Sequence, residues 1–258
     1  MRVATIAAWF GRFFRSRLAT KPPKMQALSR KEATMNPDEL NIQSFVSLKK
    51  LEQGCYLKRI EICSQSIYHW LQFCEYHYST LIDAATTENL RRDRYLQIQR
   101  KGENVKLRFV YEAHISGFLN SLHSLLDSFP YLLHLFIPIS KNLKDQDIKW
   151  SKDFLCKYND HDFFTTLIDF IEEENFQKVK GYVNRIKHKH LIRVSNQGGS
   201  LEFEEFDYRL PTDILNKKYQ NKSVENQNVL EFIADCYDDL IPKFFTLCNA
   251  VLDSKRMP

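Results

Sequence analysis

The stretch "FLNSLHSLLDSFPYLLHLFIPI", residues 118–139, decides the fold class. A membrane span needs about 18–20 apolar residues in a row. This run approaches that length, but Asn120, His123, Asp127 and His134 interrupt it. It therefore reads as a buried helix, not a span. Extended toward the N-terminus, the periodicity predicts one helix from about Val105 to Leu135, bent or ended by Pro130, which has no N–H for the helical ladder.

The flanks read the same way. Apolar residues recur at helical spacing from Phe45 to Cys74, so 37–84 is expected to form one long helix or two stacked ones. "TTENLRRDRYLQIQRKGEN" (86–104) reads as a short helix leading into a loop, with "KGEN" as its turn. Residues 140–160 form a polar connection with a short helix near Trp150–Cys156. "DHDFFTTLIDFIEEE" (160–174) predicts a helix opened by aspartate caps, and 175–190 predicts another. The period then changes, and "LIRVSNQGGSLEFEEFDY" (191–208) predicts a small β-hairpin around its Gly-Gly turn. A last helix, 224–254, is expected to kink at Pro242. The sum is a mainly α bundle of about five main helices with one hairpin insert.

Composition limits the function classes. Of the chain's 37 basic and 32 acidic residues, eight and one lie in residues 1–34, which leaves 29 and 31 on residues 35–258. The body is thus near neutral, and any basic surface on it must be a local patch. Residues 1–34 read as a basic tail, disordered or loosely docked. Its Arg-rich, aromatic pattern fits a targeting peptide, a membrane-surface helix, or sequence upstream of a start at Met35. Residues 35–258 then form a single domain. The six cysteines include no CxxC pair and are expected to be reduced thiols of a cytoplasmic protein. No nucleophile elbow, P-loop or GxGxxG is present, and no cofactor is expected.

Two polar sets stand out. On helix 105–135, Glu112, Ser116, Asn120, His123, Asp127 and His134 fall within about 80° at roughly 100° per residue, a continuous seam. His123 and Asp127 are one turn apart, so the carboxylate can orient the imidazole. The seam either faces water or lines a shared polar cleft. The second set is "YVNRIKHKHLIRV" (182–194). Val183 and Ile186 belong to its apolar face, leaving Asn184, Arg185 and His188 on the other side, with Lys187 between them in sequence. His190 joins them only if the helix ends near Lys189. The HxH spacing of His188 and His190 suits joint metal ligation poorly on a helix, so no metal site is assigned. Imidazoles can move protons at a ribose hydroxyl, and Arg or Lys can stabilise phosphorane charge. The same residues also suit a plain helix end whose cations favour the C-terminal dipole.

The run Arg185-Ile-Lys-His-Lys-His190 resembles the R-x4–6-H signature of the HEPN superfamily, and of its uncharacterised bacterial members above all, over roughly residues 40–253. The resemblance implies an all-α domain and either metal-independent endoribonuclease activity of toxin or phage-defence type or non-catalytic binding of RNA, a nucleotide or a protein. It further implies a homodimer, with Arg185 stabilising phosphate charge and His190 as the acid–base group, His188 beside it. Asn184, Lys187, Asn120, His123 and Asp127 would complete the binding surface. The family usually has Asn, Asp or His directly after the Arg, whereas this chain has Ile186 there and its Asn at 184.

Overall fold

The computed structural model describes residues 42–51, 56–91, 97–100, 103–139, 143–197, 199–225 and 227–255. All of them lie in one compact unit spanning 34–258. The basic tail, 1–34, and Cys55 fall outside the described residues.

The chain is mainly helical. The 37–84 region supplies α1 (Ile42–Leu51) and the 28-residue α2 (Leu57–Ala84). α3 (Thr87–Arg91) is the short helix expected next. Where a loop is expected, β1 (Gln97–Arg100) and β2 (Glu103–Lys106) instead pair antiparallel. Only Ile98 and Val105 in these eight residues are apolar, and they are register partners. One apolar pair is too little for a period-two signal.

The central segment divides into α4 (Leu107–Asp127) and α5 (Phe129–Phe136), with Pro130 in the first turn of α5. That position needs no N–H donor, so the proline starts a helix there instead of bending one. Phe118, Leu119, Leu122, Leu125 and Leu126 are wholly buried, which makes α4 the core helix. α2 packs closely along it at Gly117, where a Cβ would sit 2.4 Å from Cε1 of His77. This brings Nδ1 of His77 to 3.1 Å from Nδ1 of His114. At the far end, buried Lys49 of α1 donates to the Phe136 carbonyl at 3.0 Å.

The polar connection holds 3₁₀ turns at Asp145–Asp147 and Cys156–Tyr158 around α6 (Lys152–Leu155). Trp150 ties it to the core by donating Nε1–H to the Leu126 carbonyl at 2.9 Å. Its ring also stacks on Phe129 with centroids 5.7 Å apart. α7 (Phe164–Glu172) follows, but its aspartates do not cap it. Phe163 takes the N-cap position and is buried, so packing fixes where this helix begins.

α8 (Glu174–His188) leads to β3 (Val194–Gln197) and β4 (Ser200–Phe203), the expected hairpin, with Gly199 in the left-handed region at φ 105°. A further hairpin then appears that was not expected: β5 (Phe206–Asp213) with β6 (Lys218–Val224). Pro211 interrupts β5 at a bulge, which confines its buried alternation to the start of the strand, and β6 is exposed over most of its length. Residues 206–208 therefore belong to this second hairpin. Asn228 caps α9 (Val229–Asp235), accepting from the backbone N–H groups of Leu230 and Glu231. A π turn, Cys236–Leu240, separates α9 from α10 (Ile241–Asp253), and Pro242 lies in the first turn of α10. The wider turn accommodates the proline ring and the missing donor, so it takes the place of the expected kink.

The three sheets are separate two-stranded pairs. Among the described residues, five cysteines are free, and no helix is long and apolar enough to cross a membrane.

Candidate functional site

α8 is built to be shared by two neighbours. Phe176, Val179, Tyr182 and Val183 are buried against the core, on the side that meets α4. There burial pushes the Tyr182 hydroxyl's pKa up to about 12, with Ser116 lowering it and Glu112 raising it from α4. The polar seam of α4 therefore lines a helix–helix contact with α8 over at least part of its length.

The opposite side of α8 meets the β5–β6 hairpin at Gly181. A Cβ there would lie 2.6 Å from the Tyr208 Cβ and 3.2 Å from the Asp207 carbonyl oxygen, so glycine permits the close approach. Two glutamates hold the hairpin in place. Glu172 accepts from the Ile214 backbone N–H at 2.8 Å. Glu174 accepts from the Tyr208 hydroxyl at 2.5 Å and from Lys222 at 3.4 Å. The Tyr208 hydrogen bond is the main reason the Glu174 carboxyl titrates below its ordinary range.

Between helix and hairpin runs a groove of about 520 Å³. Lys180, Asn184, Arg185 and His188 wall it from α8, and Asp207, Arg209 and Tyr219 wall it from the hairpin. Arg185 is part-buried, with 20% side-chain exposure. Its Nη1 lies 3.9 Å from Oδ2 of Asp207, too long for a good ion-pair hydrogen bond. Its Nε is buried and has no acceptor among the described residues.

Comparison of the chain with family models, with curated proteins and with solved structures finds no match in any of the three. The site is therefore described by its own geometry.

Of the eight residues singled out from sequence, Arg185, His188 and Asn184 share the groove. His190 does not line it. The helix ends at Lys189, whose backbone (φ −131°, ψ −80°) turns the chain away. His190 then lies with Nε2 3.9 Å from Glu204 Oε1, and Glu204 lines a different, smaller cleft of about 270 Å³. Lys187 is exposed. Asn120 is satisfied within its own helix, donating to the Ser116 carbonyl at 2.8 Å. His123 is buried, and Asp127 is exposed at the end of α4. Burial lowers the His123 pKa first; Asp127 opposes this, and the Lys187 and Lys180 charges add to it. Lys180 is likewise lowered by burial and raised by Asp127. Lys180 thus connects the two polar sets, since it lines the groove and its charge acts on His123. Among the described residues no three His, Cys, Asp or Glu side chains gather to hold a metal ion.

Gly181, Asp207, Tyr208, Arg209 and Tyr219 were not singled out from sequence. The signal for the first strand was present in Phe206, Tyr208 and Leu210 alternating with Asp207 and Arg209. The turn after it is also marked, since Asn216 donates backbone N–H to Asp213 Oδ1 at 2.9 Å, an Asx pattern.

Proposed function

We propose that this chain is a HEPN-like helical protein that binds a phosphate-bearing ligand, RNA or a nucleotide, in the groove between α8 and the β5–β6 hairpin. One observation carries the reading: the buried Arg185 Nε without an acceptor. A buried donor left unpaired costs about 1–3 kcal/mol, and native structures rarely tolerate one without a reason. A phosphate oxygen is the natural partner, because the guanidinium presents its donors as a planar fork. Lys180 and His188 on the same wall add donors, and Asn184 adds an amide that can donate or accept. The near-neutral charge of the body fits a local anion site better than a broad nucleic-acid surface.

The test is binding of a single-stranded RNA oligomer and of inorganic polyphosphate to the full chain. Arg185→Ala is expected to weaken both about tenfold or more, the 1.5–3 kcal/mol scale of a hydrogen bond to a charged group. It should also reduce the slope of log affinity against log salt by about one. A wild-type protein that binds neither probe, or a variant that binds both as wild type does, removes this reading.

A second reading rests on His188 lining the same groove as Arg185. It is metal-independent RNA cleavage by the HEPN-like dimer that the resemblance implies. The ribose 2′-oxygen would attack phosphorus with its proton passing to a base, and the 5′-oxygen would leave with a proton, giving a 2′,3′-cyclic phosphate. Arg185 would stabilise the phosphorane. His188 is the better placed acid–base candidate, because His190 faces Glu204 instead. Cleavage in EDTA that is lost in His188→Ala and kept in His190→Ala supports this reading. RNA left intact by folded wild type rules it out.

A further inference from the structure

The groove pairs an anion hook with an exposed aromatic platform. Tyr219 lines it from β6 and is 42% exposed. Its neighbours on the strand, Lys218, Gln220, Asn221 and Lys222, are all polar, so this ring serves no apolar core. Pairing of Pro211 with Tyr219 and of Arg209 with Asn221 sets Arg209 diagonally across from Tyr219 on one face of the hairpin. The Arg209 guanidinium carbon lies 4.6 Å from the ring centroid. That cation–π contact orders the ring from one face. Among the described residues the ring has no other aromatic contact.

An ordered, half-exposed ring in the same groove as Arg185, whose Nε has no acceptor, matches a ligand with two parts, one flat and one anionic. We infer that the groove takes a nucleotide unit, its phosphate on Arg185 and its base stacked on Tyr219, which Arg209 backs. The inference rests on the phosphate-binding reading of this same groove and adds the base-stacking half. Base–aromatic stacking is available to any unpaired base and is closed to bases already stacked in a duplex. The unit therefore comes from a free nucleotide or from single-stranded RNA. Asp207 and Asn184 on the walls supply an acceptor and a mixed donor–acceptor for the base edge.

The experiment measures binding of the full chain to an unstructured RNA strand of about 10 nucleotides, the size range of a single-strand groove. The same strand in a duplex, an abasic strand with equal phosphates, and AMP as competitor complete the set. The single strand is expected to bind roughly tenfold tighter than the abasic strand. Tyr219→Ala should remove that advantage and leave abasic binding unchanged, while Tyr219→Trp should retain it. Tyr219 is exposed, so thermal unfolding should be the same for all three proteins. Tyr219-dependent competition by AMP identifies a free nucleotide as the ligand; its failure to compete, with the strand still bound, identifies single-stranded RNA. Equal binding of the single and abasic strands, or an unaffected Tyr219→Ala, overturns base stacking. If Arg185→Ala still weakens every probe in that case, the phosphate reading survives alone. Binding of no probe at all removes both.

Discussion

At the scale of single residues, Gly181 governs the groove as much as Arg185 does. Glycine inside a helix costs about 1 kcal/mol relative to alanine, so its presence in the middle of "KVKGYVNR" already signals a close approach. The partner in that approach, Tyr208, lies 27 positions away and could not be read from the helix. Gly181→Ala is expected to lower stability by about 1–3 kcal/mol despite its better helix propensity, because the new methyl meets the Tyr208 Cβ and the Asp207 backbone, which cannot swing aside. Chemical denaturation checks this, and a variant as stable as wild type would mean that the hairpin shifts freely. Helical angles were enough to place Asn184, Arg185 and His188 on one side of α8. They could not say what that side faces, or that His190 would leave the helix with Lys189.

At the scale of elements, the β5–β6 hairpin was the largest omission, and the reason is physical. A strand pair lying on one helix needs only one buried face, and here most of β6 stays in water. What fixes the hairpin is a short buried edge, Phe206, Tyr208 and Val224, together with Glu172 and Glu174 at the α7–α8 corner. The Glu174 pKa is lowered from the ordinary 4.5. The unfolded chain therefore takes up this proton at higher pH than the folded one. The stabilisation is complete above pH 4.5 and is lost as the pH falls through the depressed value. Tyr208→Phe removes the main cause of the shift. It is expected to cost about 1 kcal/mol at neutral pH, the low end for a hydrogen bond to a charge because Glu174 is part-exposed. It should also flatten the loss of stability below pH 4.5. Amide hydrogen exchange over residues 206–224 against pH reads both effects. Unchanged protection in the variant would show that Glu172 and packing hold the hairpin alone.

At the scale of the whole molecule, the bundle was legible because long apolar periodicity survives without knowledge of partners. The reading of 118–139 as a core helix rested on four polar residues. Two of them, His123 and His134, are buried in the fold. Burial lowers the pKa of both, and of His77 in the α2–α4 contact, from the ordinary 6.5. Asp145 opposes the shift at His134, and Asp127 opposes it at His123, where Lys187 and Lys180 reinforce it. His77 also shares a hydrogen bond with His114, so one Nδ1 must donate and the other accept. Each folded-state value lies below the unfolded one. Their stabilisation is therefore present above pH 6.5 and is lost as the pH falls. The melting temperature is expected to drop between neutral pH and pH 5, well before the Glu174 window opens, and His123→Gln should reduce the slope. A melting temperature level across that range would show that these imidazoles ionise without penalty. One further consequence concerns how the groove is encoded. Every residue that lines it falls between Gln177 and Tyr219, while the aromatic core around Phe129, Trp150 and Phe244 lies outside that run. The walls of the groove thus form a contiguous cassette of sequence. Phe206, Tyr208 and Val224 of its hairpin are also buried in the core, so a hairpin exchanged there keeps the fold only if it keeps these side chains.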